Sequence, residues 1–226
     1  MGVLSIVSTP IGNLRDITLR AIETLKNADA VVCEDTRVTG HLLHQLEIPK
    51  KKLIALHGYS DAATLDHVLS LLQSDQKIAL VSDAGTPAIS DPGYLLVSTA
   101  REAGIPIEVV PGPSAFLAAL SASGLPINQF LYMGFLPLKK GRKTLLASLK
   151  EESRTIAFYE SVHRIEKTLA EIADALQDQP DRSIVIAREL TKLHEEIISL
   201  TIADLKDRAK DLTKKGEFVI VLGPKK

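Results

Sequence analysis

The chain has 226 residues, 45% of them apolar and 24% charged, with a formal net charge of −1. That is enough to bury a substantial core as one large or two small domains, and the near-neutral balance excludes a uniformly basic nucleic-acid binder. A single cysteine, Cys33, excludes an intramolecular disulfide, and no apolar stretch reaches transmembrane length. A cytoplasmic protein is expected, with no membrane or DNA partner and any RNA contact confined to local clusters.

The first half alternates strand-like and helix-like segments. Strands are predicted at Leu4 to Val7, Ala30 to Val32, Leu53 to Leu56, Ile78 to Val81 and Ile107 to Val110. Between them, Asp16 reads as the N-cap of a helix carrying Ile17, Ala21, Ile22 and Leu25. Further helices carry Leu42, Leu43 and Leu46, then Leu65, Val68, Leu69 and Leu72, then Tyr94 to Ala103. This βαβ series predicts a mostly parallel sheet. After Pro111-Gly-Pro-Ser114 an Ala- and Leu-rich helix runs to Ser123, and the domain boundary is placed at 115/116.

The second half predicts strands at Phe130 to Phe135, Thr155 to Tyr159, Ser183 to Arg188, Glu196 to Leu200 and Phe218 to Leu222. A helix from Val162 carries Ile165, Leu169, Ile172 and Leu176 on one face. Thr201-Ile-Ala-Asp204 resembles a capping box for the last helix. Short connections among the late strands point to a mixed sheet. The expected fold class is therefore α/β in two domains, 1–115 with a mostly parallel sheet and 116–226 with a mixed one.

Three loops carry the chemistry. Thr9-Pro-Ile-Gly-Asn-Leu14 follows the first strand, Asp83-Ala-Gly-Thr-Pro-Ala-Ile-Ser-Asp-Pro-Gly93 the fourth, and Pro111-Gly-Pro-Ser-Ala115 the fifth. Their prolines and glycines cannot continue a strand, and in a parallel sheet all three emerge on the carboxyl edge, where ligands bind. Dinucleotide, phosphate-loop and serine-hydrolase signatures are missing. His41 and His44 lack companions for a metal, so none is expected, and Cys33 reads as a small core residue.

Together with Glu34-Asp-Thr-Arg37, Val81-Ser-Asp-Ala-Gly-Thr-Pro87, Asp91-Pro-Gly93 and Val109-Val-Pro-Gly-Pro-Ser114, these loops resemble the tetrapyrrole methylase superfamily of S-adenosylmethionine-dependent methyltransferases. Gly134-Phe-Leu-Pro137, Phe158-Tyr-Glu-Ser161 with His163-Arg164, and Ala187-Arg-Glu-Leu-Thr-Lys192 narrow the resemblance to the branch that methylates a ribose 2′-hydroxyl on a decoding-centre cytidine of 16S ribosomal RNA in the small subunit. The resemblance implies a homodimer of two-domain chains with S-adenosyl-L-methionine folded between the domains. Members of that branch continue past the last strand into a helical extension, whereas this chain stops at Pro224-Lys-Lys226. Small-molecule methylation on the same fold, or non-catalytic ribosome assembly, remains the alternative.

On these residues the expected donor contacts are Thr9, Pro10, Gly12, Asp83, Ala84, Gly85, Thr86, Ser114 and Ala115, with Phe135, Tyr159 and Leu190 as apolar walls. Asp83 is read against a second role, bracing a loop by accepting backbone amides. Glu34, Asp35 and Glu189 are the candidate bases, with Lys192 beside them. Asp35 with Arg37 has an alternative reading as a structural ion pair. Lys139, Lys140, Arg142 and Lys143, four cations in five residues, join Arg37, Arg164 and Arg188 as candidate RNA contacts. Lys50-Lys-Lys52 reads as a solvated face.

Overall fold

The computed structural model describes every residue except 1, 58–61, 91–92, 209–212, 214 and 226. Asp91-Pro92 of the fourth-strand loop and the final Lys226 thus lie outside the described residues. Backbone contacts gather into two units, Met1–Ser114 and Ala115–Lys226.

In the first unit, β1 (Val3–Val7), β2 (Ala30–Cys33), β3 (Lys52–Ala55), β4 (Lys77–Leu80) and β5 (Ile107–Val110) form a sheet in the order β3-β2-β4-β1-β5. Every pairing is parallel. Helices α1 (Leu19–Asn27), α2 (Thr36–Gln45), α3 (Ala62–Gln73) and α4 (Tyr94–Glu102) connect the strands. Period-two alternation sorts the apolar residues by face. Ala30, Val32, Ile78 and Leu80 pack with Val68, Leu72, Leu96 and Ala100 of α3 and α4. Val31, Cys33, Ala79 and Val81 pack with Ala21, Leu25 and Leu43 of α1 and α2. Both faces are covered, which is why these strands read as continuous apolar runs.

The first helix starts later than expected. Asp16 ends a 3-10 turn, Leu14–Asp16, capped by the Asn13 side chain, and Thr18 is the true N-cap, its hydroxyl accepting the Ala21 amide at 3.0 Å. Asp16 and Thr18 are both competent capping residues; the extended backbone of Ile17 decides between them. Lys51 donates to the Lys26 and Ala28 carbonyls (2.6 and 2.9 Å), closing the C-terminus of α1, so that cluster is in part a helix cap.

In the second unit, β6 (Phe130–Phe135), β7 (Thr155–Glu160), β8 (Ser183–Arg188), β9 (Glu196–Thr201) and β10 (Phe218–Leu222) follow the order β6-β7-β10-β8-β9. Only β6–β7 is parallel, so the sheet is mixed. Strands β6, β7 and β8 therefore run the same way, and their carboxyl ends share one edge with the amino ends of β9 and β10. Helix α5 (Ala115–Ala122) packs on β7 and β10. On the other face α6 (Arg142–Ser148), α7 (Ile165–Ala175) and α8 (Ile202–Arg208) cover a core of Ile156, Phe158, Ile184, Ile186, Ile220 and Leu222. The capping box at α8 forms in both directions: Asp204 N–H donates to Thr201 Oγ1, and Thr201 N–H to Asp204 Oδ2. Helix α6 was not expected, because its first residues read as part of a charge cluster.

Candidate active site

Strands β1 and β4 are neighbours whose connections leave toward opposite faces, to α1 and α4 respectively. Such a divergence opens a crevice at the carboxyl edge. Here it is pinned by a two-residue antiparallel bridge: Thr9 N–H donates to Gly85 O at 2.8 Å, and Gly85 N–H to Thr9 O at 3.1 Å. The buried Thr9 hydroxyl donates to Ser82 O at 3.2 Å, and the Ser82 hydroxyl to Ala84 O at 3.2 Å. Thr86 Oγ1 donates to Pro113 O at 3.2 Å and lies 3.0 Å from Ser8 Oγ, tying in the β5 loop. Each such bond contributes about 1 kcal/mol net, and an orphaned buried partner costs more.

Two glycines allow this closeness. Gly85 has φ +80°, and a Cβ there would meet Ile11 Cγ2 at 3.4 Å. A Cβ on Gly112 would come within 2.9 Å of Ser8 Cβ. Ala88 and Ser90 also adopt positive φ (66° and 65°), so the β4 loop holds non-glycine residues in a costly conformation.

The next strand end carries the carboxylates. Asp83 Oδ1 accepts the Asp35 amide at 3.0 Å, so the loop-bracing role anticipated as its alternative is present. Asp35 caps α2 through the Arg37 amide (2.8 Å) and grips the Arg37 guanidinium with both oxygens, at 3.1 and 2.6 Å. That pairing holds the Asp35 carboxyl down to about 2. The Arg37 side chain is 89% exposed, its fork oriented from behind. Glu34 differs: burial raises its carboxyl, Asp83 and Asp35 raise it further, and His57 opposes them. Burial also pushes the Cys33 thiol up, and Cys33 sits in the core donating to Ile54 O.

Of the other first-unit residues anticipated at the site, Pro10 and Thr86 are half-buried, Gly12 and Ala84 exposed, and Ser114 half-buried at the end of the β5 loop. Ala115 opens α5 in the second unit. The serine hydroxyls at positions 8 and 82 were missed; their one sequence signal is a polar residue ending an apolar strand.

In the second unit, Phe135 and Tyr159 pack ring to ring at 5.4 Å, and Tyr159 meets Tyr132 edge-on at 5.7 Å. The β6–β7 register shifts between Tyr132 and Phe135, where Gly134 has φ +58°, and this bulge re-aims Phe135 outward. Leu190 is buried.

Glu189 and Lys192 brace the β8–β9 connection. Lys192 Nζ bridges Glu189 Oε1 and Glu217 Oε2 at 2.8 Å each, and Glu217 N–H donates to Glu189 at 3.0 Å. Burial raises the Glu189 carboxyl, but Lys192 and the Glu217 amide outweigh it, leaving the group lowered. A Cβ on Gly216, φ +95°, would collide with the Glu189 side chain, so the brace is closely packed.

Three arginines anticipated as phosphate contacts are engaged internally. Arg142 is 7% exposed and donates to Glu171, Thr168 and the Pro137 carbonyl. Arg164 donates to Glu160 at 2.6 Å and to Leu136 O at 3.1 Å. Arg188 pairs with Glu196 and reaches Lys215 O. A planar guanidinium with five donors suits such buried bracing better than lysine does, so the arginines turn inward. Lys139, Lys140 and Lys143 are exposed. No group of three metal-ligating side chains occurs among the described residues, and no described helix is long and apolar enough to cross a membrane.

Comparison with known proteins agrees with this architecture. Residues 3–206 match the family model for Tetrapyrrole (Corrin/Porphyrin) Methylases. The Escherichia coli O157:H7 protein named Ribosomal RNA small subunit methyltransferase I is 48% identical over 98% of this chain and 77% of its own length. The Thermotoga maritima protein of the same name is 44% identical over 100% of both chains. Among solved structures, diphthine synthase superposes with a TM-score of 0.73 at 15% identity, over 98% of this chain and 90% of that one. Cobalt precorrin-4 methyltransferase gives 0.70 at 21%, over 98% and 94%, and these two likenesses speak to fold. The chain belongs to the tetrapyrrole methylase family and is a methyltransferase.

Proposed function

We propose that this enzyme transfers a methyl group from S-adenosylmethionine to the ribose 2′-oxygen of a cytidine in 16S ribosomal RNA of the small subunit. The observation that carries the reading is end-to-end identity of 44% with a same-length protein named Ribosomal RNA small subunit methyltransferase I. The first-unit site suits the donor. Exposed Ala84 and half-buried Thr86 offer small, approachable groups beside Gly85, whose amide and carbonyl hold the Thr9 bridge, and Asp83 retains a second carboxylate oxygen to face a cationic group. We assign Thr9, Pro10, Gly12, Ser114 and Ala115 to the same donor set, and Phe135, Tyr159 and Leu190 to its apolar contacts.

The donor supplies a methyl already activated by positive sulfur, so the enzyme's own tasks are alignment and removal of the hydroxyl proton. Glu34 is the base in this reading. Asp35 is held down by Arg37 and Glu189 is bound to Lys192, whereas no described residue donates a hydrogen bond to the Glu34 carboxylate, and its surroundings raise its proton affinity. The Glu34 carboxylate takes the 2′-hydroxyl proton, and Arg37 holds a neighbouring phosphate. We read the working form as a cytoplasmic homodimer, supported by Tyr94 and Leu95 standing exposed side by side at the start of α4.

The test is incubation with labelled donor and either partly assembled small subunits or tetrapyrrole precursors. Label on rRNA is expected; label on the small molecules alone overturns the assignment.

A further inference from the structure

Two inward-turned arginines, Arg142 buried and Arg164 half-buried, hold consecutive carbonyls of a single loop. Arg164 Nη1 donates to Leu136 O at 3.1 Å, and Arg142 Nη1 to Pro137 O at 3.0 Å. Both are anchored by one network. Glu160, 2% exposed, accepts from Arg164 Nε (2.6 Å), the Ser161 amide (2.8 Å) and the Thr168 hydroxyl (2.6 Å). Thr168 Oγ1 in turn accepts from Arg142 Nη2 at 2.7 Å, and Glu171 closes the network on Arg142 Nε at 2.7 Å. Such a network is costly to bury and fixes geometry.

What it fixes is the segment between β6 and α6. Beyond the clamped carbonyls come Leu138, 71% exposed, then Lys139 and Lys140, also exposed. Gly141, φ +80°, then turns the chain into α6. No Asp or Glu occurs between Glu108 and Glu151, and Lys139, Lys140 and Lys143 form no ion pair with a described residue. Arg142 and Arg164, the cations that do have acidic partners, are the ones turned inward. An apolar side chain held beside unneutralised lysines on a rigid loop is a surface for an unpaired nucleic-acid strand: the apolar group meets a base face and the lysines meet phosphates. A duplex keeps its base faces stacked inside and offers Leu138 nothing.

We propose that the β6–α6 loop is a preset finger for an unpaired RNA strand, with Leu138 contacting a base, Lys139 and Lys140 contacting phosphates, and the Arg142–Thr168–Glu160–Arg164 network acting as its positioning element. The proposal rests on the rRNA reading and narrows the substrate to a strand opened before or during binding.

The test measures fluorescence anisotropy of the full chain with a short labelled single-stranded RNA and with the same strand annealed to its complement. Wild type favours the single strand. Leu138→Ala weakens single-strand binding about five-fold and leaves its salt dependence unchanged. Lys139→Ala/Lys140→Ala flattens the slope of log affinity against log salt by about 1.4, from about 0.7 per phosphate on single strands. Thr168→Val raises the KM for RNA with kcat unchanged, and Thr168→Ser restores it. Equal affinity for duplex and single strand, or a Leu138→Ala protein indistinguishable from wild type, overturns the finger; so does binding of an acidic peptide as tightly as RNA. Those results leave rRNA methylation by the wild type standing, whereas absence of that methylation removes the functional reading itself.

Discussion

The carboxyl edges of the two sheets solve the same problem with different forces. On the first, the loops after β1, β4 and β5 are joined by neutral bonds: the Thr9–Gly85 bridge and the hydroxyls of Ser8, Thr9, Ser82 and Thr86. On the second, the loops after β6, β7 and β8 are held by ion pairs, Arg164 on Glu160, Arg142 on Glu171 and Lys192 between Glu189 and Glu217. A neutral scaffold adds dipoles but no net charge, so formal charge beside it comes from carboxylates such as Glu34 and Asp83. An ionic scaffold uses much of its charge in internal pairing, while Lys139, Lys140 and Lys143 outside it are exposed.

The largest effect that separates the two edges is Glu160→Ala. It strips the acceptor from the Arg164 guanidinium and from the Thr168 hydroxyl that in turn accepts from Arg142, and is expected to destabilise the protein by about 3–5 kcal/mol, read as a large fall in thermal midpoint. A fall no greater than that of a surface glutamate variant would mean the network is not a brace. Next comes Glu34→Gln, expected to lower kcat about a hundredfold or more while donor affinity stays at the wild-type value. Unchanged kcat assigns the proton to another group.

Smaller is the pair Asp83→Asn and Asp83→Ala. Asparagine keeps an acceptor for the Asp35 amide and removes only the charge, so calorimetric donor affinity should fall a few-fold in Asn and about tenfold or more in Ala, which also orphans that amide. Equal wild-type affinity in both variants removes Asp83 from the donor site.

The smallest is a pH effect at Asp35. Its folded-state carboxyl is depressed to about 2, so its contribution to stability is present above the ordinary carboxylate range and fades as pH falls toward that value. Asn is an equally good N-cap. The stability gap between wild type and Asp35→Asn should therefore be constant near neutrality and close in acid; a gap that persists at pH 2 contradicts the ion-pair origin.

The alternation of apolar runs with glycine and proline loops made the strands legible, most clearly β2, β7 and β10, which are buried along nearly their whole length. The start of α1 was not, since Asp16 and Thr18 are both capping residues and only the Ile17 backbone separates them. The internal partners of Arg142, Arg164 and Arg188 were not legible for a related reason. A basic run shows charge but not direction, and their partners Glu171, Glu160 and Glu196 stand 29, 4 and 8 positions away. The loops after β1, β4 and β5 were visible as motifs, while Ser8 and Ser82, which hold them, look like ordinary strand-end residues.

The central claim is tested most directly by mapping the product: small subunits treated with the enzyme and labelled donor, then nuclease digestion and mass analysis of the 16S rRNA fragments. One added methyl on the ribose of a single cytidine is the predicted result. Methyl on a base, or label absent from rRNA while donor still binds, contradicts it.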